Sequence, residues 1–471
     1  MNKLSIKEKL GFSLGEIGGT ISWQGMMFFL GIFYTDVFGL TATAAGFLLF
    51  LPRFLDAFVD PIVGVVADRT NTKWGKFRPY LLWFGIPFAV FMVLMYFTPN
   101  FSLSGKTVYA YVTYIGMMIM YSLIMTPFNA LGGVITDDHI DRTSLQSYRF
   151  MMAFTGGIII RGFTYPLVSL FGGGLNVTKN MPNNPQKGFL LTMVVFAVIS
   201  LIAFLVTFKV TKERVAPAKS QKTSLKLDFK DLLKNAPWLI IFLVSTLNLI
   251  YVGTWCTSMA YYFKYYMTAK TLVLFGWNTH YDLMSSFNVF GSIIIILVLV
   301  SPLTKWLSAR FGKRNILIVS FLLIGVSICG FYFCKPTDSG TIMLLQLIQS
   351  AAAAPTMPII WSIFADVADF SEWKNNRRAT GLVFSAVVFG QKAGIALGAA
   401  IPLWILGSLG YSDKLAVQPA AVIQTIRMSM SLIPGVIAFL TMIACFLYPL
   451  TNNKMDQIQI ELVQRRDQQK E

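Results

Sequence analysis

Charged side chains are scarce in this chain: of its 471 residues, 13% are Asp, Glu, Lys or Arg, whereas soluble domains carry about 25%. Histidine occurs twice and cysteine four times, and no glycine-rich loop followed by lysine is present to cradle a nucleotide phosphate. The cysteines all lie inside apolar runs, without the paired spacing of extracellular disulfides. These absences argue against a zinc site, a disulfide framework and ATP-driven chemistry carried by this chain alone.

Apolar residues make up 55% of the chain and include 40 phenylalanines and 10 tryptophans. They form runs of about 20 residues, which is the length that crosses a bilayer's hydrocarbon core. Helices are expected, because the runs are too long and too uniform for the strands of a membrane barrel. The sequence therefore predicts an all-α membrane protein with twelve transmembrane helices, at residues 14–36, 42–66, 78–98, 107–132, 145–172, 187–210, 236–262, 282–303, 314–335, 341–365, 379–408 and 423–448.

Lysine and arginine lie in alternate loops, and the chain has 39 of them against 22 acidic residues. The basic loops include 69–78, 209–234 and 305–314, and the loops on the opposite side hold few basic residues. This is the positive-inside pattern of membrane orientation rather than a phosphate-binding face, so nucleic acid is not an expected partner. The pattern predicts a multi-pass protein of the bacterial inner membrane with both termini in the cytoplasm.

A long basic loop divides the chain into two similar halves. A short motif follows the second span of each half, Gly75-Lys76-Phe77-Arg78 in the first and Gly312-Lys313-Arg314 in the second. This repeat predicts the two six-helix bundles of the major facilitator fold. The tail has the spacing of a short amphipathic helix that packs as a cap, with a regulatory role as the alternative. The predicted domains are an N-terminal bundle at 1–210, a cytoplasmic loop at 211–235, a C-terminal bundle at 236–450 and a cytoplasmic tail at 451–471.

The second span contains three charged residues, Arg53, Asp56 and Asp60, at spacings of three and four that place them on one helix face. Ionisable groups at membrane depth are costly and usually functional. Two carboxylates one turn apart can share a proton or flank a small cation. The alternative is a static buried ion pair that fixes helix packing.

Other polar residues at depth each have two interpretations. Lys392, in the glycine-rich segment 390–398, either donates to a sugar hydroxyl or pairs with an aspartate of the second span, or it snorkels to an interface. Arg149 is either a binding residue or a positional one that snorkels to headgroups. Arg161 is expected to snorkel near the outer interface, with an anion-binding role toward a uronate or sulfonate sugar as the alternative. Trp23 either stacks on a sugar or anchors the membrane interface.

Four motifs, which together extend over nearly the whole chain, resemble the signatures of the glycoside–pentoside–hexuronide:cation symporters, the major facilitator family that includes the melibiose carrier. They are Tyr34–Leu40, Arg53–Pro61, Asp68–Pro79 and Ala365–Lys374. The resemblance implies that the chain imports a sugar or glycoside together with a cation. It also implies the major facilitator fold, no enzymatic activity and no cofactor besides the coupling ion, H+ or Na+.

The resemblance also implies site residues by position. The implied cation-binding residues are Asp56, Asp60 and Ser122, and the implied substrate-binding residues are Thr20, Trp23, Tyr121, Asn129, Arg149 and Lys392. Two family carboxylates are missing, because Thr20 and Met125 stand in their places, and Asn129 replaces a tryptophan. These departures argue against melibiose as substrate and favour H+ over Na+, since a thioether has little affinity for a hard cation.

A cytoplasmic motif is expected to gate the transporter through charge pairs. Its predicted members are Asp68, Arg69, Arg78, Asp366, Asp369 and Glu372. The main alternative function is a cation-independent facilitator or exchanger of the same fold, which would not need titrating aspartates. A membrane sensor is disfavoured, because the longest loop is too short to be a soluble domain. The expected partners are the sugar, the cation and lipid, and the expected state is a monomer.

Overall fold

The computed structural model describes residues 4–136, 139–176, 181–214, 234–269, 271–274, 277–300, 303–375, 380–415 and 417–468. Nearly all of these residues are helical. Most of the predicted central loop, residues 215–233, lies outside them.

The helices of the first half are long and run close to the predicted spans. The first of them continues beyond its end into a π-helical turn at Phe33–Val37. The helices are α1 (Ile6–Phe28), α2 (Ala42–Arg69), α3 (Arg78–Leu94), α4 (Leu103–Val134), α5 (His139–Phe171) and α6 (Pro185–Val210).

The helices of the second half include shorter pieces, and the first of them also continues into a π-helical turn, Tyr262–Tyr266. The helices are α7 (Ala236–Tyr261), α8 (Leu283–Val300), α9 (Leu303–Phe311), α10 (Lys313–Gly330), α11 (Ser339–Ala353), α12 (Thr356–Asn375), α13 (Thr380–Ser408), α14 (Ala420–Met430), α15 (Leu432–Phe446) and α16 (Asn452–Gln468). Two antiparallel hairpins of short strands also occur, β1 (Leu175–Asn176) with β2 (Met181–Pro182) and β3 (Thr271–Leu274) with β4 (Trp277–Asp282).

Each of the twelve predicted spans contains a helix. Within the described residues, eight helices are long and apolar enough to cross a membrane, and Arg78–Leu94 and Leu283–Leu299 are shorter apolar helices. The number of helices that cross the membrane stays a prediction.

The chain divides into two compact units that interleave along the sequence. The first comprises residues 1–219, 256–292 and 399–426, and the second comprises 220–255, 293–398 and 427–471. In the first unit α1 packs mainly against α5 and α6, and in the second α10 packs mainly against α15 and α11.

Glycines permit close helix contacts in both units. A Cβ atom at Gly19 would lie 2.4 Å from the Met125 sulfur, so α1 and α4 can meet there only without a side chain. On α13, a Cβ atom at Gly394 would lie 2.6 Å from the carbonyl oxygen of Thr246 on α7. A helix can therefore approach α13 closely at this glycine.

The tail forms helix α16, whose apolar side is packed as predicted. Met455, Ile458 and Leu462 are buried, and α16 contacts α12. The indole Nε1 of Trp373 on α12 donates a hydrogen bond of 2.6 Å to Glu461. The tail is thus a docked cap on α12.

Candidate functional site

Two carboxylates of α2 each accept a hydrogen bond from a hydroxyl of α4. Ser122 Oγ donates to Asp56 Oδ1 at 2.6 Å, and both residues are buried. One turn further along both helices, Thr126 Oγ1 donates to Asp60 Oδ1 at 3.1 Å. The structure therefore brings together the three predicted cation-binding residues. It adds Thr126, which follows Ser122 by four residues just as Asp60 follows Asp56.

Arg53 ties α2 to two other helices. Its Nε donates to the Tyr114 hydroxyl at 2.6 Å and its Nη2 donates to the Met26 carbonyl at 2.8 Å. These two hydrogen bonds run to α4 and α1, so Arg53 links three helices beside the carboxylates.

Arg149 of α5 is the centre of a polar cluster. Its Nε lies 2.5 Å from Glu16 Oε2 of α1, its Nη2 donates to Asn129 Oδ1, and its guanidinium lies 5.2 Å from the centre of the Phe128 ring. Two predicted substrate residues, Arg149 and Asn129, are therefore in contact. Glu16 was not predicted as a site residue, although its place inside the first span is the signal that identifies it.

Trp23 and Tyr121, both predicted substrate residues, form an aromatic pair between α1 and α4. Their ring centres are 5.4 Å apart and the planes are inclined by 32°. Tyr121 precedes Ser122, so the aromatic pair adjoins the carboxylate pairs along α4. Thr20 lies one turn before Trp23 and packs beside Gly156 of α5, where a Cβ atom would lie 3.3 Å from Thr20 Cβ. The Trp23 and Tyr121 side chains are half-buried, and aromatic faces next to polar groups suit a sugar ring, which is apolar on its faces and polar at its edge.

Lys392 is half-buried on α13 and belongs to the second unit. The glycines at 390 and 394 of the same helix pack against α7. Its predicted role toward the substrate or the aspartates stays a prediction.

The segment that follows α6 is anchored to the starts of α1 and α3. The Glu213 carboxylate accepts the backbone N–H groups of Phe77 and Arg78 at 2.8 and 3.0 Å, where negative charge complements a helix N-terminus. Arg214 Nη1 lies 2.7 Å from Glu8 Oε1, and this hydrogen bond raises the pKa of Arg214. These contacts fix the loop that carries the predicted gating motif.

The predicted gating residues lie at the end of α2, at the start of α3 and in the second half of α12. Asp68 and Arg69 are exposed, whereas Arg78 Nη2 donates to the Phe208 carbonyl at 2.6 Å. On α12, Asp366 pairs with Lys313 of α10 at 2.6 Å, and the nearby Asp369 and Glu372 are half-buried. Their gating role stays a prediction.

A buried carboxylate outside the predicted site collects four donors. The Asp36 side chain has no exposed surface, and it accepts hydrogen bonds from Thr35 and from Tyr265, the latter at 2.6 Å. Lys264 and Tyr411 also bond to it. The two π-helical turns that end α1 and α7 bring these residues together with the segment after α13. Asp36 lies in a motif that identified the family resemblance but received no functional assignment.

Within the described parts of the chain, no group of three or more His, Cys, Asp or Glu side chains is placed to hold a metal ion. All four cysteines are free, as the sequence predicts.

Similar proteins are transporters. The model of the MFS/sugar transport protein family matches residues 11–452. The putative glycoside/cation symporter YagG of Escherichia coli (strain K12) is 35% identical over 479 residues, covering 100% of this chain and 98% of that protein. The isoprimeverose transporter of Lactiplantibacillus pentosus is 33% identical over 98% of this chain and 91% of its own length.

A solved structure of a bacterial homologue of the human drug peptide transporters PepT1 and PepT2 has a similar fold. Its TM-score is 0.70 at 14% identity, over 96% of this chain and 99% of that one. At that identity the similarity shows the fold alone. Together with the family match, it confirms the predicted all-α major facilitator fold.

Proposed function

The chain belongs to the MFS/sugar transport protein family, among the glycoside–pentoside–hexuronide:cation symporters, and from this membership we propose that it imports a sugar or glycoside together with a proton. The observation that carries the coupling proposal is the pair of carboxylate–hydroxyl contacts between α2 and α4, Asp56–Ser122 and Asp60–Thr126. Carboxylates at membrane depth cost free energy. A cation-independent facilitator would not need two such carboxylates, because it couples transport to no ion.

Each carboxylate–hydroxyl pair can bind and release a proton. A hydroxyl donates to the ionised carboxylate, and after protonation its oxygen can accept from the carboxylic acid. Sodium would instead need the hydroxyl lone pairs, together with further hard oxygen ligands. On α4, the Met125 side chain fills the space beside Gly19. Its thioether is a poor ligand for a hard cation. These points favour H+ as the coupling ion.

The substrate in this proposal binds beside the cation site. Trp23 and Tyr121 offer aromatic faces to the sugar ring. Arg149 and Asn129 offer donors and an acceptor for hydroxyl groups, and Thr20 lies on the same side of α1 as Trp23. Tyr121 and Ser122 are consecutive in α4, so the proposed sugar and cation sites lie on the same helix turn. This adjacency is the proposed physical link between sugar and cation.

The test is uptake of radiolabelled sugars into proteoliposomes in sodium-free buffer with an imposed pH gradient, inside alkaline. The proposal expects accumulation above the external concentration, abolished by a protonophore and unchanged by added sodium. Accumulation that requires sodium at fixed pH would replace the proton by sodium. Equilibration without accumulation under either gradient would identify a facilitator.

A further inference from the structure

The second unit contains a cavity where α8, α9, α10 and α12 meet. Its volume is about 330 Å³, within the range of about 300–1,000 Å³ that small-ligand sites have. Among the described residues that line the cavity, Lys313 is the one charged residue. The wall also carries three hydroxyl groups, from Thr304, Ser308 and Ser362, and is otherwise lined by apolar residues. The cavity thus combines an ammonium group and hydroxyl groups with an apolar wall.

Lys313 and Thr304 can offer hydrogen bonds to a ligand in this cavity. The Lys313 ammonium donates one bond of 2.6 Å to Asp366 Oδ2, and an ammonium has three N–H groups. Among the described residues, the Thr304 hydroxyl oxygen is buried and has no hydrogen-bond partner. Helix α10 begins at Lys313, and a helix N-terminus attracts negative charge. These groups suit a ligand with several acceptor oxygens and a negative charge, such as a phosphate.

The helices around the cavity also expose large apolar side chains. Trp306 and Phe311 of α9 are each 51% exposed, and the Arg310 guanidinium lies 5.5 and 5.8 Å from their ring centres. Met357 and Trp361 of α12 are exposed as well. Tryptophan is enriched at the level of the lipid headgroups, and α9 lies in the basic loop that the sequence predicts to face the cytoplasm. A polar cavity therefore adjoins side chains that suit contact with acyl chains.

An anionic phospholipid matches both parts of this surface. Its phosphate can accept hydrogen bonds from the ammonium and hydroxyl groups of the cavity, and its acyl chains can cover the exposed side chains of α9 and α12. Basic pockets between helices on the cytoplasmic side of membrane proteins bind anionic headgroups in this way. A zwitterionic lipid brings its own ammonium group close to Lys313, and a free phosphate leaves the aromatic side chains uncovered. The combination therefore favours an anionic phospholipid over both.

We propose that the cavity binds the phosphate of an anionic phospholipid, with Lys313 and Thr304 as its principal hydrogen-bond partners and the acyl chains lying against α9 and α12. The bound lipid then bridges α9, α10 and α12 beside the Lys313–Asp366 pair. Neither the sugar nor the coupling ion uses these residues in the proposed function, so the lipid site is independent of it.

The test is native mass spectrometry of the purified full-length protein in detergent, titrated with lipids that share their acyl chains. The probes are dioleoyl phosphatidylglycerol, dioleoyl phosphatidylcholine, and glycerol 3-phosphate as the soluble counterpart of the headgroup. We expect the first phosphatidylglycerol to bind about tenfold or more tightly than the first phosphatidylcholine, since hydrogen bonds to a charged group contribute that much. Glycerol 3-phosphate at the same concentration should not displace the lipid, because it lacks the acyl chains.

Three variants test the residues of the cavity. Lys313→Gln removes the charge and should weaken binding of phosphatidylglycerol about tenfold, whereas Thr304→Val removes the hydroxyl, keeps the shape of the side chain and should weaken binding about threefold. Asp366→Asn removes the carboxylate that competes for Lys313 and is expected to strengthen binding. Lys335→Gln, which removes an exposed basic residue beyond the other end of α10, is the matched control and should leave binding unchanged.

Equal affinity for the two lipids, unchanged binding by Lys313→Gln, or an equal loss in Lys335→Gln would overturn the inference. Displacement of the lipid by an equal concentration of glycerol 3-phosphate would identify a soluble phosphate as the ligand and would also overturn it. If Lys313→Gln does not fold, Asp366→Asn still decides, because a merely structural ion pair predicts no gain in lipid affinity. Binding is measured without sugar or an ion gradient, so a negative result leaves the transport proposal untouched.

Discussion

Asp36 and Tyr265 are joined by a hydrogen bond of 2.6 Å although they lie 229 residues apart in the chain. The same carboxylate bonds to Lys264 and Tyr411, so one buried side chain holds the end of α1 to the end of α7 and to the segment after α13. The cluster therefore holds together three segments of the first unit that lie far apart in the chain.

Replacing Asp36 by asparagine is expected to destabilise the protein, because it removes the carboxylate that pairs with the Lys264 ammonium, whose side chain is 14% exposed. Breaking a buried ion pair costs about 3 kcal/mol. Tyr411→Phe removes a single hydrogen bond and should cost about 1 kcal/mol. The measurement is thermal unfolding in detergent, and equal Tm values for the two variants would contradict a central role of the carboxylate.

Asp56→Asn is expected to abolish accumulation of sugar while leaving exchange across the membrane, because the amide cannot take up and release a proton. Ser122→Ala should weaken coupling less severely, since the carboxylate remains. Concentrative uptake and counterflow are compared in the same proteoliposomes. Normal accumulation by Asp56→Asn would remove this carboxylate from the mechanism.

Thr126→Val keeps the shape of the side chain but removes the hydroxyl that donates to Asp60. We expect the external proton concentration needed for half-maximal uptake to change about tenfold, because a hydrogen bond to a charged group contributes about 1.5 kcal/mol or more. Thr126→Ser restores the donor and serves as the control. If valine and serine behave alike, the hydroxyl has no part in cation binding.

The features that could be predicted from the sequence are the helices and helix faces that local residue patterns determine. Apolar runs located a helix in every predicted span, and the spacing of Met455, Ile458 and Leu462 predicted the packed face of α16. Asp56 and Ser122 were identified together through family resemblance. Asp60 has the same spacing from Asp56 as Thr126 has from Ser122. The sequence therefore also contains the spacing that pairs Asp60 with Thr126.

Contacts between distant parts of the chain could not be predicted in this way. The spacing of Arg53 places it near the aspartates on one helix face, yet its hydrogen bonds run to Tyr114, 61 residues away, and to Met26. Helix periodicity fixes the direction in which a side chain leaves its helix but not the atoms it reaches. The motif around Asp36 is visible in the sequence but its partners are not, because Lys264, Tyr265 and Tyr411 lie more than 200 residues away in the chain.

Lys313 and Asp366 offer a test of the predicted gate within the second unit. Asp366→Asn is expected to lower the maximal uptake rate several-fold without changing the ratio of rates for two competing sugars, because the pair joins α10 to α12 and neither residue belongs to the proposed substrate site. The exchanged pair Lys313→Asp with Asp366→Lys should recover part of the rate. A change in sugar preference in the single variant would count against a gating role.

Glu16 decides between the two interpretations of Arg149. If Arg149 binds sugar, Glu16 holds its guanidinium in position through the 2.5 Å contact at Nε and leaves Nη atoms for the substrate. Glu16→Gln should then weaken sugar binding about tenfold, because the arginine loses its orientation and its bond to a charged partner, while proton dependence stays unchanged. Glu16→Asp, which keeps the charge on a shorter side chain, should lose less affinity.

If Arg149 is only positional, Glu16→Gln lowers the Tm in detergent and leaves the affinity of the remaining folded protein intact. Titration and thermal unfolding on one preparation therefore separate a binding arginine from a structural one.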